Sequence, residues 1–257
     1  MRALKCLFPI GVLLFAQGAA AQMQPHRAEY VLRLGSAVNA PRIGTATEDV
    51  TSDCEAWHLT RNVKGELPIS TSLKFDVASR LVSREARSGN QLHFRSRLTQ
   101  NGAEREVRGS VRRDGEELRA EIESPDGPSE LPLPAPTRMP VSSIVYVIDA
   151  LRSGLASFSL LSFDAQGSGE AFRADVKQID GNALRRRLTS AEPVQVPGRS
   201  WPVQISLTRM ANDKTLFGLT GRLFESGVLD HVTVNADLVT VAADLTALDI
   251  HASPSCH

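Results

Sequence analysis

The side chains with chemistry to offer in this 257-residue chain are three cysteines, six histidines, two tryptophans and several close carboxylates. Cys6, Cys54 and Cys256 contain no Cys-x-x-Cys, the spacing that lowers a thiol pKa for redox exchange. Cys54 and His58 stand at i and i+4; on a strand that is about 13 Å, and a zinc site needs two further ligands. His26, His93, His231, His251 and His257 make no such pair with another histidine or cysteine, so they read as surface or sheet-face imidazoles. Among the acids, Glu116, Glu117, Glu121 and Glu123 are close enough in sequence to suggest a glycosidase pair, which must face a cleft. Alternation puts Glu117, Glu121 and Glu123 together on an outward, solvated face instead. There is no Gly-x-Ser-x-Gly, no His-Glu-x-x-His and no phosphate-cradling glycine loop; Gly167-Ser168-Gly169 reads as a turn between strands. The expectation is a protein without catalytic residues, metal or cofactor. Trp57 and Trp201 each lie in a strand-like run. Sheet packing is their plain reading, and contact with a ligand in a concave cavity is the sharper one.

The first 21 residues have the layout of a secretory leader: Arg2 and Lys5, an apolar run from Cys6 to Phe15, and small residues ending Ala19-Ala20-Ala21. That run falls short of the roughly 20 residues that span a bilayer. Cleavage after Ala21 would remove Cys6, leaving Cys54 and Cys256 as an even pair in an oxidising compartment. They are then either joined, tying an early strand to the extreme C-terminus, or two free thiols. Removing Arg2 and Lys5 from 29 basic residues leaves 27 against 29 acidic, a net charge of about −2. Such a balance gives no case for nucleic acid. Arg185-Arg186-Arg187 reads as a solvated strand or turn. The stretch from Val228 to Ile250 is broken by four aspartates and is no membrane span.

Period-two patterns dominate. Ala28, Tyr30, Leu32 and Leu34 share a face; so do Leu92, Phe94 and Leu98; Leu118, Ala120 and Ile122; and Val203, Ile205 and Leu207. One apolar and one polar face is the mark of half-buried antiparallel strands. Asn101-Gly102, Asp114-Gly115 and Asp180-Gly181 look like tight hairpin turns, and Pro197-Gly198 and Ser226-Gly227 like further reversals. The proline-rich stretch from Pro125 to Pro140 reads as loop or linker. Val141, Ile144, Val145, Ile148, Leu151 and Leu155 then recur at helical spacing, which predicts a helix over 141–153 opened by Pro140. The reading is mainly β: one domain over 22–257, a large curved antiparallel sheet, closed as a barrel or curled as a spiral, with the helix in its concave side.

The run Pro25-His26-Arg27-Ala28-Glu29-Tyr30-Val31-Leu32-Arg33-Leu34 resembles the opening strand of the EipB-like cell-envelope-integrity family. Cys54 three residues before Trp57, Leu131-Pro132 ahead of the helix, and Ser226-Gly227-Val228 leading to Cys256 follow in the same order across the mature chain. The resemblance implies a periplasmic protein with a β-spiral similar in shape to the LolA and LolB lipoprotein carriers, and a role in envelope integrity without enzymatic activity. It also implies a disulfide between Cys54 and Cys256. Two positions depart from the pattern. Met139-Pro140-Val141-Ser142-Ser143 lacks the histidine usual near the helix start, and Ser226 stands where Asn is usual. The expected function is envelope maintenance by binding a lipid, lipoprotein or glycan in the concave face, or contact with another envelope protein. A soluble carrier of lipids or lipoproteins is the alternative, and a carboxylate hydrolase the third.

Overall fold

The computed structural model describes residues 23–68, 74–166, 169–186, 193–210, 212, 214–236 and 239–256. The leader over 1–21, Gly167-Ser168 and Arg187 lie outside them.

Alternation and turn chemistry build a long meander. Its first half is β1 (His26–Leu34), β2 (Arg42–Ser52), β3 (Ala56–Pro68), β4 (Lys74–Ala86), β5 (Gln91–Gln100), β6 (Ala103–Asp114), β7 (Glu117–Ser124) and β8 (Gly127–Leu133). Helix α1 (Pro140–Arg152) follows, then β9 (Ser157–Phe163), β10 (Ala171–Gln178), β11 (Ser200–Arg209), β12 (Thr215–Phe224), β13 (Leu229–Ala236) and β14 (Val239–Ile250). All 14 strands form one antiparallel sheet, in the order β8 to β1 and then β14 back to β9. β1 is therefore central, paired on one side with β2 and on the other with β14. The edge strands are β8 and β9, the latter met only by an isolated parallel bridge from Arg138 to Ser162, so the sheet does not close; α1 runs between those edges in the chain.

The hairpin at Asn101-Gly102 forms as its residues require, with φ of 48° and 82°. Other expectations need correction. Asp180-Gly181 is no hairpin: the Asp180 carboxylate accepts the Asn182 N–H and starts a 3-10 turn at Gly181–Ala183, ahead of a long connection to β11. The proline-rich stretch is not all loop, because β8 occupies Gly127–Leu133. Pro128 and Pro132 are tolerated there because β8 is an edge. A proline cannot donate to a further strand, so the edge is blunted against extension. Cys54 sits in the turn between β2 and β3 rather than in a strand. Arg185 is not solvated: it is 9% exposed and ion-paired to Asp244, while Arg186 is exposed.

One face of the sheet packs on α1. Leu59, Leu92, Phe94, Val111 and Ile122 from one half and Leu160, Val176, Val203 and Leu223 from the other share a single core cluster with Val141, Val147, Ile148 and Leu151 of the helix. A sheet can bring both halves onto one helix only by curling, and this face is its concave side. Burial of each large helix side chain contributes about 1.5–3 kcal/mol. Helix start and stop follow local rules: Pro140 takes the first turn, and the Ser153 N–H donates to the Asp149 carbonyl beyond the last one. A disulfide joins Cys54 to Cys256, with Cα atoms 5.5 Å apart and 202 positions of chain between them. It fixes the C-terminal tail to the β2–β3 turn.

Candidate binding site in the concave face

The concave face has two ends of different character. At the end marked by Trp57, Glu85 and Leu92, which are neighbours across β3, β4 and β5, the helix fills the space. Its N-terminus lacks a local cap, since Met139 offers no side-chain acceptor. Glu85 supplies one from β4. Its Oε2 accepts the Val141 N–H at 2.7 Å, and its Oε1 accepts the Ser142 N–H at 2.8 Å and the Ser142 hydroxyl. A carboxylate facing the positive end of a helix is favourable there, and it satisfies orphan donors. Glu85 is 1% exposed, and burial pushes its carboxyl above the usual range despite those bonds.

The loop after β9 crosses the hollow. The Ser96 hydroxyl donates to the Gln166 carbonyl at 2.7 Å, and Gln166 Nε2 donates to Ser79 Oγ at 2.9 Å. Ser79 lies in one cross-strand row with Val63 and Leu98, and the second end of the face begins at that row. Val63, Val77 and Leu98 on β3–β5, and Phe217, Leu219 and Val234 on β12–β13, keep the inward register. All six are only half-buried, and among the described residues they join neither hydrophobic cluster. They stand outside the cluster that holds the helix. Apolar side chains that face inward yet still meet solvent line a hollow, not a dry core.

A polar node marks the boundary. Glu48 and Arg61 are directly opposed on β2 and β3, between the buried Val50–Leu59 pair and the half-buried Ala46–Val63 pair. Arg61 Nε donates to Glu48 Oε2 at 2.7 Å, and Nη2 donates to the same oxygen. Burial works to raise Glu48, but the Arg61 guanidinium, with His26, overrides it and holds the carboxyl below its ordinary range. Glu48 in turn raises Arg61. His26 is fully buried; its Nδ1 is 2.8 Å from the Gln24 carbonyl, and its Nε2 lies 3.9 Å from Glu48 Oε1. Tyr30 is pushed up by burial first and then by Glu48 and Asp230, so its phenol stays neutral. No sequence pattern marks this node, because its members lie on three strands and meet only through register.

The two tryptophans are buried, at 9% and 5% exposure, inside the helix-bearing core. The Arg87 guanidinium stacks 4.7 Å from the Trp57 ring and Arg199 5.5 Å from Trp201. Glu117, Glu121 and Glu123 are exposed on the outer face. His58 Nε2 is 2.9 Å from Asp53 Oδ2 beside the disulfide. That contact, with the Glu55 and Ala56 N–H groups, holds Asp53 well below the usual carboxylate range.

A search of the curated proteins finds no relative. Among solved structures the chain is similar to the crystal structure of a β-barrel-like protein of a domain of unknown function, DUF1849, from Brucella abortus. The TM-score is 0.76 at 17% identity, over 90% of this chain and all of that one. At that identity the likeness concerns fold. It agrees with a curled, barrel-like sheet. The family model described as EipB-like matches residues 17–252, nearly the whole chain, and this protein belongs to that family.

Proposed function

We propose that this protein is a non-enzymatic, exported protein of the periplasm that supports envelope integrity by holding an acyl-bearing envelope component in the helix-free end of its concave face. The carrying observation is the set of half-exposed apolar residues that face inward there, Val63, Val77, Leu98, Phe217, Leu219 and Val234. A disulfide of this kind forms and persists in an oxidising compartment, which supports export. No described helix is long and apolar enough to cross a membrane. The acyl reading is favoured over a glycan because sugar sites use exposed aromatic platforms, and both tryptophans are buried in the core.

The test is native mass spectrometry of protein purified without detergent, together with titration of a fluorescent fatty-acyl probe. The expected result is an adduct of lipid mass and saturable probe binding. Protein that carries no lipid and leaves the probe in water would sink this reading.

A further inference from the structure

The convex face of β4, β5 and β6 carries a charge arrangement that the fold does not need. Arg80 and Arg84 on β4, Arg95 and Arg97 on β5, and Arg108 and Arg112 on β6 all point outward and are exposed. Register sets like against like: Arg80 opposes Arg97, Arg95 opposes Arg108, and Arg112 opposes Arg119 of β7. His93 opposes Arg84 in the same patch. Like charges directly across a ladder destabilise a sheet. Elsewhere the register sets Arg27 against Asp49 and Glu48 against Arg61.

Acids answer only part of this charge. Glu104 and Glu106 contact Arg97, Glu106 contacts Arg95 at 3.4 Å, and Glu55 contacts Arg84 at 3.4 Å. Glu123 pairs with Arg108 from β7. Arg80 and Arg112 have no ionic partner among the described residues. These pairs are about half exposed at the arginine, the class of ion pair that holds weakly and exchanges partners readily. At the β4 margin, between Arg80 and Arg84 along the strand, sits Val82, a large apolar side chain left 40% exposed, opposite Arg95 on β5 and Thr60 on β3. The whole chain has 29 basic and 29 acidic residues, so this excess is local.

We propose that the convex face of β4–β6 is a docking surface for an anionic membrane, with guanidinium groups engaging lipid phosphates beside Val82. Guanidinium binds phosphate through paired, directional hydrogen bonds. Strands about 4.8 Å apart spread the six arginines over an area roughly 10 Å by 15–20 Å. That is a planar array, suited to the planar lattice of headgroups and not to a single bound anion. An exposed apolar side chain beside a cationic array is a layout that favours a membrane interface over a soluble polyanion. This surface lies on the opposite side of the sheet from the hollow, so it stands or falls separately from the acyl site.

The experiment is flotation of the full mature protein with vesicles of phosphatidylcholine containing a rising fraction of phosphatidylglycerol, at low and at physiological salt. Binding should rise with the phosphatidylglycerol fraction and fall with salt. Combining Arg80→Gln, Arg95→Gln and Arg112→Gln should lower the partition coefficient at least tenfold and leave the melting temperature equal or higher, because like-charge pairs are relieved. The corresponding lysine replacements should keep most of the binding. Arg27→Gln, on the convex face of β1, should leave it unchanged. The proposal is overturned if the unaltered protein stays off the vesicles at low salt. It is equally overturned if the triple replacement floats as well as the parent, if Arg27→Gln weakens binding as much, or if soluble polyphosphate binds while vesicles do not.

Discussion

The two ends of the concave face are built from the same strands and share one register, yet one is dry and the other is not. Along β3, Trp57 and Leu59 are buried while Val63 is half-exposed; along β5, Leu92 and Phe94 are buried while Leu98 is half-exposed. Side-chain type does not explain this, since both ends are apolar. The helix does: it covers one end and leaves the other. Hydrophobic surface contributes to stability only where something removes it from water. The covered end is thus the main source of stability, and the half-exposed end contributes less to it.

Substitutions can break that contrast in a definite order. Ile148→Asp places a charge in the helix-bearing core, where the side chain is 1% exposed. It should prevent folding or cost more than about 4 kcal/mol, read by urea denaturation. Cys54→Ser opens a loop of 202 positions. The loss should be about 2–5 kcal/mol, read as a lowered midpoint under non-reducing conditions and no loss beyond that under reducing ones.

Glu85→Gln tests the remote cap: the amide keeps one acceptor oxygen and replaces the other with a donor, which should cost about 1–2 kcal/mol. Its pH dependence carries a sign. Burial raises the folded-state carboxyl, so the folded protein holds that proton more tightly than the unfolded chain does. This group's contribution is therefore largest in acid and declines as pH rises from the ordinary carboxylate range through the raised value. The Gln variant should lose that segment of the stability–pH curve. Glu48 behaves oppositely: its lowered carboxyl contributes above the ordinary range and loses that contribution as pH falls through the folded value. Smallest in stability is Leu219→Asp at the open end, expected to change the midpoint by less than about 1 kcal/mol. The same substitution should abolish acyl-probe binding, which separates the ends by function.

Local rules made much of the framework legible. The β7 alternation Leu118-Ala120-Ile122 and the helix after Pro140 were readable because each repeats over several turns or pleats. β8 was hidden by Pro128 and Pro132, which exclude a central strand but not an edge. Asp180-Gly181 was misread because the same dipeptide can start a 3-10 turn when the aspartate bonds forward. The Glu85 cap had no sequence signal, since its acceptor and donors are 56 and 57 positions apart. The node of His26, Glu48 and Arg61 was equally invisible, because an ion pair across a ladder depends on register that no short pattern specifies.

The central place of β1 has a consequence for biogenesis. This strand is synthesised first, yet one of its two ladders, from His26 against Ile250 to Leu34 against Val241, belongs to the last strand made. Until β14 has emerged, β1 presents a raw, hydrogen-bond-hungry flank to its surroundings. Loss of the residues from Thr246 onward would strip His26, Arg27, Ala28 and Glu29 of their β14 partners and remove the cross-link as well. The middle of the sheet is therefore completed by pairing across almost the whole described chain, not by neighbours in sequence.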